Sequence, residues 1–523
     1  MPLQIAPVSA HLSGETLLPA AVPAPLPDAL SLESCGGRVR VEWDPQAPVT
    51  PLGQLVFFAQ FLHSSGRFQQ WVDQCPWAYT SSNAPAVRDV LGTVMLSVLC
   101  GHHRYAHVSA LRGDQVNPPL LGMSQVVGED SVRRALAKGR AQVEAQQAVA
   151  RWQIHHLRES YGPLLSVPWI LDIDSTIKTI YGHQEGAEVG YNPHKRGRPS
   201  HVYHTYLMGA ARLVLDVEVQ PGKQTAASHA LPGLWRLLEA LPASAQPWLV
   251  RGDCGFGQEG VMSEAEARDR AYLFKLRLTR RPKDLIRRLE QQGQWQDAGQ
   301  GWQAREDTLQ LHGWSRARRV IVLRRPLKTT VPSAPASGQG LLDWPGTFPS
   351  PAPEYEYAVL VTSLTASLLS VAQLYRDRGD AENNFDELKN QWGWAGFTTP
   401  DLYRCQVMAR HIALIYNWWS LFVRLADPGV RREAITSRPL LLHAVARHST
   451  HAGQRVVSVT PLHAEAPRIR QMLTTLSQFL SGLQATAEQL TDAQRWCRIL
   501  SRIFQALLGG VELQMPVWLG APG

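Results

Sequence analysis

The sequence predicts a mixed α/β core flanked by helical segments at both ends. Three observations lead to this fold class. Apolar runs short enough to be strands are concentrated in the middle of the chain. Segments with apolar residues at three- and four-residue spacing lie on both sides of them. The chain has 523 residues and a hydrophobic content of 44%, which suits roughly two to four domains with real cores.

The N-terminal part is predicted to be helical after a disordered arm. Residues 1–30 are rich in Ala and Pro, which favours disorder. Residues 31–160 contain amphipathic segments and are interpreted as a helical N-terminal domain. The segment that opens with Asp130 and Ser131 is compatible with a helix-turn-helix, and a plain helical bundle is about equally compatible.

The character of the chain changes near residue 161, where strands begin to alternate with helices. We predict three strands, a helix interrupted by Pro232, a fourth strand and a second helix, at 167–174, 201–210, 212–220, 223–242, 247–257 and 258–271. This order suits a ribonuclease-H-like core, which we assign to residues 161–270 and 362–399.

Two further regions complete the domain prediction. Residues 271–361 have strand-like patterns and are interpreted as a β-rich insertion, with a Pro/Ser/Gly-rich loop at 327–353. Residues 400–523 are predicted to form a helical C-terminal domain.

The composition favours a soluble, intracellular protein that binds nucleic acid. The net charge of +8 fits a phosphate-rich partner. The six cysteines include no CxxC pair, which argues against a zinc ribbon and against a disulfide framework. The sequence has no signal-peptide pattern, and its longest apolar stretch, at 412–423, is too short for a bilayer.

Two aspartates follow apolar strands. Asp174 ends "VPWILDID", and Asp253 follows "WLV" in "PWLVRGDCGFG". Carboxylates held rigidly at strand ends are suitable Mg²⁺ ligands, and two such ions can serve phosphoryl transfer. Asp172 lies on the same face of its strand as Asp174 and is a second candidate. Taken alone, each Asp is explained more simply as a cap or turn residue.

The segment "YRDRGDAENNFDELK" (375–389) supplies a third carboxylate. In a single helix, Tyr375, Arg378, Glu382 and Lys389 would share one narrow face. If Gly379 breaks the helix, only Glu382 and Lys389 are certain to share a face. The simpler alternative is a solvated surface with Arg378 and Glu382 as an ion pair.

The spacing Y-x2-R-x3-E-x6-K is the YREK signature, and the chain resembles DDE transposases of bacterial insertion sequences, a cut-and-paste class with a ribonuclease-H-like fold. The segments 100–114, 171–201 and 250–257 are similar to motifs of one branch of that class. The resemblance implies a bacterial, cytoplasmic enzyme that is associated with the nucleoid when it binds DNA.

The resemblance also implies the site residues and the cofactor. Asp174, Asp253 and Glu382 match the catalytic, metal-binding acids, and Asp174 is preferred to Asp172 because a hydroxyl residue follows it. Two Mg²⁺ ions per active site are expected, with Mn²⁺ as a substitute. The substrates would be double-stranded DNA with terminal inverted repeats, and target DNA. The freed 3′-OH would attack either the opposite strand, which gives a hairpin, or the target.

Several side chains are expected to contact DNA. The resemblance implies phosphate contacts by three residues of the YREK segment, and basic clusters add five more candidates. These DNA-binding candidates are Tyr375, Arg378, Lys389, Lys195, Arg196, Arg198, Arg318 and Arg319. Stacking candidates for a flipped base are Tyr355, Tyr357 and Trp314, although Trp314 is better explained as a core residue.

A homodimer on two DNA ends is expected, because paired ends must be joined together. Its interface is predicted from apolar residues of the C-terminal segment, namely Trp418, Trp419, Phe422, Leu440, Leu441 and Leu442. Two alternatives remain open at this point: a catalytically inactive DNA-binding relative, and a structure-specific nuclease on the same fold.

Overall fold

The structure is a computed structural model of the chain. It describes residues 29–327, apart from Pro45 and His194, and residues 354–485 and 489–519. Most of the predicted N-terminal arm and of the predicted loop at 327–353 lie outside these residues.

The first described element is a β-hairpin, in a compact unit that ends at Pro48. Its strands β1 (Ala29–Ser34) and β2 (Gly37–Glu42) pair antiparallel. The prediction that residues 31–160 are helical is therefore wrong at their start. The sequence here alternates apolar and polar residues, which is the period of a strand and not of a helix.

A second compact unit begins at Val49. Its first part is mostly helical, as predicted, and precedes the central strands. The elements are β3 (Val49–Thr50), α1 (Leu55–Ser65), α2 (Arg67–Asp73), α3 (Val87–Leu99), α4 (Asn117–Leu120), α5 (Glu129–Leu136) and α6 (Val143–Tyr161).

Strands and helices alternate in the central part. They are β4 (Ile170–Thr179), β5 (Glu188–Val189), β6 (Pro199–Met208), β7 (Leu213–Pro221), α7 (Ala226–Glu239), β8 (Leu249–Gly252), α8 (Glu259–Ala267), β9 (Tyr272–Lys275), α9 (Arg280–Gln292), β10 (Gln296–Asp297), β11 (Gln303–Leu309), β12 (Arg318–Pro326), β13 (Tyr355–Thr362), α10 (Leu368–Arg376) and α11 (Gly379–Asn390). The helix α7 runs through Pro232, so the predicted interruption there is wrong.

Ten strands of the described residues form one sheet. In its middle lie β7, β6, β4, β8 and β9, in that order. The first three pair antiparallel, whereas β8 runs parallel to β4 and β9 runs parallel to β8. The predicted mixed α/β core is therefore confirmed, with β4 at its centre.

The predicted β-rich insertion extends this same sheet. β13 pairs with β9, and β12, β11 and β10 follow outward. Residues 271–361 also contain the helix α9, although this stretch was interpreted as strands. Its apolar residues Pro282, Leu285, Ile286 and Leu289 are buried at helical spacing. The strands of this region thus belong to the core sheet and do not form a sheet of their own.

The C-terminal part is helical except for one hairpin. Its elements are α12 (Leu402–Ala426), α13 (Ala434–Leu441), β14 (Val445–His451), β15 (Gln454–Thr460), α14 (Ala466–Ala485), α15 (Asp492–Ile503) and α16 (Gln505–Leu508). The hairpin β14–β15 corrects the all-helical prediction. Its seven-residue strands are rich in β-branched residues and meet at a turn with Gly453 at positive φ.

The long helix α12 forms much of the core and packs on β7 and α6. Asn417, in the middle of its apolar stretch, accepts a hydrogen bond from the Val214 N–H at 2.8 Å and donates one to the Val214 carbonyl at 2.8 Å. All six apolar residues that suggested a dimer interface are buried within this single chain. They are core residues, so they give no support to an interface.

Two of the predictions concerned disulfides and membrane-spanning helices. All six cysteines lie in the described part, and each is unpaired. Across the described helices, none combines the length and the apolar character that a bilayer crossing needs.

Candidate active site

The two aspartates lie at the point where the parallel strands β4 and β8 stop pairing. The last residue pair between β4 and β8 is Ile173 with Gly252, and Asp174 and Asp253 come directly after it. Asp174 was predicted to end its strand, and it does not. β4 continues to Thr179 because β6 pairs with it over that whole length. The two carboxylates therefore lie where the parallel pairing stops and β4 continues with only one neighbour.

The carboxylate of Asp174 is partly buried, with its side chain 19% exposed, and it carries strong polar contacts. Its Oδ1 accepts a hydrogen bond from the Ser175 N–H at 2.7 Å, and its Oδ2 accepts one from Nη2 of Arg378 at 2.8 Å. Burial raises the pKa of Asp174 from 3.8 to about 7, Arg378 opposes this rise, and the charges of Asp253 and Glu382 add to it. These interactions put all three candidate acids in one electrostatic site.

Arg378 joins two of the three acids. Its Nη1 donates to Oε1 of Glu382 at 2.6 Å while its Nη2 holds Asp174. The Arg378 side chain is only 2% exposed, whereas that of Glu382 is 61% exposed. Although burial alone would lower the pKa of Arg378, the nearby charge of Asp174 and other acidic groups keeps it raised. The guanidinium therefore acts as the counter-charge of this site.

The YREK segment is broken between two helices. α10 ends at Arg376 and α11 begins at Gly379. The arrangement with all four residues on one helix face is therefore wrong, and the alternative with a break at Gly379 is confirmed. The break turns Arg378 into the protein, whereas Glu382 lies in the first turns of α11.

Asp172 forms a separate ion pair with Arg251. Arg251 donates from Nε and Nη2 to the two carboxylate oxygens of Asp172, both at 2.7 Å. The two residues face each other in the β4–β8 register, and both are buried. Arg251 also donates to the carbonyl of Leu374, next to Tyr375. This buried pair fixes α10 to the sheet and leaves Asp174 as the better candidate of the two aspartates.

The donor chemistry of the site fits a hard divalent cation. Asp174, Asp253 and Glu382 offer carboxylate oxygens, which are the ligands that Mg²⁺ prefers. Across the described residues, no three His, Cys, Asp or Glu side chains are already grouped to hold a metal ion. The fork of Arg378 bridges Asp174 and Glu382. A cation that bound all three acids would replace the charge of Arg378.

A cleft of about 480 Å³ opens beside Asp253. Asp253 and Lys389 both line it, together with the exposed Arg277 and the hydroxyl residues Ser175 and Thr176. Lys389 therefore lies at the same cavity as one catalytic candidate, as expected. The combination of a carboxylate and two cations suits an anionic substrate that binds through a metal ion and through direct phosphate contacts.

Tyr375 lies at the same site and is partly buried. Burial raises its pKa to about 12, and the charges of Arg378, Glu382 and Asp253 also act on it. The phenol therefore stays protonated at neutral pH, and it can donate a hydrogen bond but not act as a base.

The basic candidates outside the YREK segment fall into two groups. Lys195, Arg196 and Arg198 are exposed on the loop between β5 and β6, and they form no ion pair with a carboxylate of the described residues. Arg318, in contrast, is buried and pairs with Glu259 at 2.5 Å and with Glu266 at 2.8 Å.

Arg319 is also occupied, because it forms a two-pronged pair with Glu306 at 2.6 and 2.9 Å. The structure therefore gives Arg318 and Arg319 structural partners in place of phosphates. Neighbouring carboxylates already neutralise these two arginines, which favours a structural role over the predicted DNA contact.

The aromatic candidates are mostly engaged with the protein. Trp314 is buried under Arg318, whose guanidinium carbon lies 5.3 Å from the ring. Tyr357 donates to Glu290 at 2.8 Å, and Arg324 covers the ring of Tyr355 at 4.4 Å. Trp314 is thus a packed residue, as the sequence favoured.

Sequence reasoning missed Arg251 as a partner of the site. A signal was present, because Arg251 precedes Asp253 by two residues just as Asp172 precedes Asp174. In two parallel strands aligned by their acids, the preceding positions also come to face each other. The equal spacing could therefore have predicted the Asp172–Arg251 pair and separated the roles of the two aspartates.

Comparisons with known proteins agree with a DNA-processing enzyme. The family model described as transposase DDE domain group 1 matches residues 76–479. No curated protein matches the chain. Among solved structures the chain is similar to a piggyBac transposase synaptic complex with hairpin DNA, at 10% sequence identity and a TM-score of 0.36, over 88% of this chain and 87% of that chain. This last similarity is too distant to bear on the site. Because the family model covers more than three quarters of the sequence, the chain belongs to the transposase DDE domain group 1 family and is a DDE transposase.

Proposed function

We propose that this transposase belongs to the YREK class of bacterial insertion sequences, and that it cuts DNA at the ends of its element and joins them to target DNA. The observation that carries the proposal is the arrangement of three acids. Asp174, on β4, and Asp253, directly after β8, both follow the last residue pair of these parallel strands, and Glu382 is tied to Asp174 through Arg378. The strand order β7-β6-β4-β8-β9 supports a ribonuclease-H-like core around them.

DDE transposases use divalent metal ions. For this chain we propose Mg²⁺, with two ions per site and Mn²⁺ as a substitute, held by Asp174, Asp253 and Glu382. When bound, such ions stabilise the charge that develops on phosphate oxygens and lower the pKa of water. Burial at Asp174 also suits a cation, because the partly buried carboxylate lacks enough positive charge to stay fully ionised at neutral pH.

The protein's own cations have two roles in this proposal. Arg378 balances Asp174 and Glu382 before a metal ion binds, and its guanidinium then becomes available for a phosphate oxygen, its usual bidentate partner. Lys389 supplies a point charge in the cleft next to Asp253. Tyr375, which remains protonated, can donate a hydrogen bond to the same phosphodiester.

The DNA partners in the proposal are the terminal inverted repeats of the element and the target duplex. Lys195, Arg196 and Arg198 are exposed cations on one loop and suit phosphate contact. A homodimer on two ends is proposed from the need to join both ends in concert, and not from the apolar C-terminal residues. Light scattering of the complex with end DNA tests it, and a complex of one chain that joins paired ends would contradict it.

Two alternatives make different experimental predictions. An inactive relative would bind element ends without cutting them, and a structure-specific nuclease would cut branched DNA without preference for the ends. The test uses the inverted repeats that flank the gene, placed on linear DNA and incubated with the full chain and Mg²⁺. We expect cleavage at the repeat end followed by strand transfer, and we expect Asp253→Asn to retain binding and lose both reactions.

A further inference from the structure

The loop between β5 and β6 places a tyrosine at the rim of the active-site cleft. Tyr191 lines the same cleft as Asp253 and Lys389. Its residue surface is 65% exposed. No ring or cation of the described residues contacts the Tyr191 ring, so one aromatic face of the cleft has no protein partner.

The backbone on both sides of Tyr191 is anchored. A Cβ atom added at Gly190 would lie 1.8 Å from the Gly222 carbonyl oxygen, so the two backbone segments are in close contact at this point. On the other side, the buried Asn192 donates to Oγ1 of Thr179 at 3.1 Å and accepts from the Lys195 N–H at 2.9 Å. The backbone that carries Tyr191 is therefore held in place, which reduces the entropy cost when a ligand packs on the ring.

The rest of the cleft has the composition of a nucleotide site. Ile177 and Pro193 add apolar surface beside Tyr191, whereas Arg277, Lys389 and Asp253 supply charge. A cavity of about 480 Å³ is of small-molecule size. It is too small for a double helix but can take a base that has left its stack, as enzymes that act on extruded nucleotides do.

We infer that Tyr191 is the stacking surface for an unpaired nucleobase of the DNA strand that is bound at the active site. This inference rests on the proposed function and adds to it a residue that recognises unpaired DNA near the cleavage point. Aromatic faces stack on any base, so the site would favour unpaired DNA without requiring a particular sequence. The phosphate next to the stacked base would then lie on the charged side of the cleft, toward Lys389.

Tyr181 provides a matched control. It is exposed to the same extent, 67%, and precedes the same short hairpin. Its ring, however, is already covered by Lys195, whose Nζ lies 5.1 Å from the ring centre and donates to the hydroxyl at 2.5 Å. Tyr181 does not line the cleft. If stacking in the cleft contributes to binding, replacing Tyr191 should weaken binding and replacing Tyr181 should not.

The test measures binding of a thymidine hexanucleotide that carries one fluorescent adenine analogue, with the full chain and Ca²⁺ as the divalent ion. Stacking quenches the analogue. We expect Tyr191→Ala to weaken binding about 5- to 140-fold, which corresponds to about 1–3 kcal/mol of stacking, and to relieve the quenching. Tyr191→Trp should retain both, and Tyr181→Ala should change neither. Binding of a blunt duplex should not respond to Tyr191→Ala.

Three results would overturn the inference: wild-type protein that does not bind or quench the hexanucleotide, Tyr191→Ala that binds it like wild type, or Tyr181→Ala that loses as much as Tyr191→Ala. A different result would contradict the proposed function alone. If the chain cuts no element end but its hexanucleotide binding depends on Tyr191, the base site stands and the cleavage proposal does not. Thermal unfolding of each variant checks that the loop substitution leaves the fold intact.

Discussion

Replacing Asp172 and Asp174 one at a time by asparagine separates a structural carboxylate from a catalytic one. Asp172 accepts both prongs of the buried Arg251 at 2.7 Å. Arginine stays charged at any ordinary pH, so Asp172→Asn leaves a buried cation without its counter-charge. Breaking such a pair costs about 3–5 kcal/mol. Unfolding entropy of about 2.1 cal/mol/K per residue gives roughly 1 kcal/mol/K for the unit that starts at Val49, so the melting temperature should fall by about 3–5 °C.

Asp174→Asn should have the opposite profile, because Arg378 keeps Glu382 as a counter-charge whereas Arg251 loses its carboxylate partner. Burial raises the pKa of both aspartates, so the contrast rests on these two arginines. The pKa of Asp174 is raised from 3.8 to about 7, so the folded protein holds this proton more tightly than the unfolded chain does. The stability that this group contributes is present below about pH 4 and is lost as the pH rises through about 7. Asparagine cannot ionise, so at pH 8 the variant should be at least as stable as wild type, while cleavage at element ends should be abolished.

The assay pairs thermal unfolding at pH 8 with end cleavage in Mg²⁺ for both variants. A destabilised Asp172→Asn that still cuts when folded, beside a stable and inactive Asp174→Asn, is the expected outcome. The reasoning is refuted if Asp172→Asn melts like wild type and is inactive, or if Asp174→Asn still cuts.

Three further predictions concern basic side chains. Arg378→Gln removes the charge that lowers the pKa of Asp174, so this pKa should rise above about 7 and the rising limb of the pH–rate profile should move to higher pH; an unmoved limb would contradict the proposed ion pair. Arg196→Ala and Lys389→Ala should each lower the slope of log binding constant against log salt by about 0.9 if each contacts one phosphate. Arg318→Ala, whose guanidinium is paired with Glu259 and Glu266, should leave that slope unchanged and lower the melting temperature; a reduced slope for this variant would restore it as a DNA contact.

The core of the fold was predictable because its signals are local. Apolar runs identified β6 and β7 to within two residues at each end. Apolar runs also placed Asp174 on β4 and Asp253 next to β8, a separate strand. The break before Gly379 was foreseen as one of two alternatives, because glycine destabilises the interior of a helix. The helix α9 was missed because its many charged residues hid an apolar stripe of helical period.

Other features depend on contacts between residues far apart in the chain. Arg251 and Asp172 are separated by 79 positions, and their pairing follows from strand register, which the sequence states only indirectly. Composition also could not tell that Trp418 and Phe422 serve the core of a single chain, because an apolar helix face looks the same whether its own chain or a partner covers it. For the same reason, the basic run at Arg318 looked like a phosphate track until the acidic residues of α8 were found beside it.

The central claim is that Asp174, Asp253 and Glu382 together bind the divalent ion that DNA cleavage requires. The most direct measurement is the anomalous scattering of Mn²⁺ in crystals of the full chain with bound end DNA. We predict a peak in direct contact with carboxylate oxygens of Asp174 and Asp253, with Glu382 turned toward it and Arg378 moved off Asp174. A strong Mn²⁺ peak elsewhere, with the Arg378 bridge intact at an ion concentration that supports cleavage, would contradict the account.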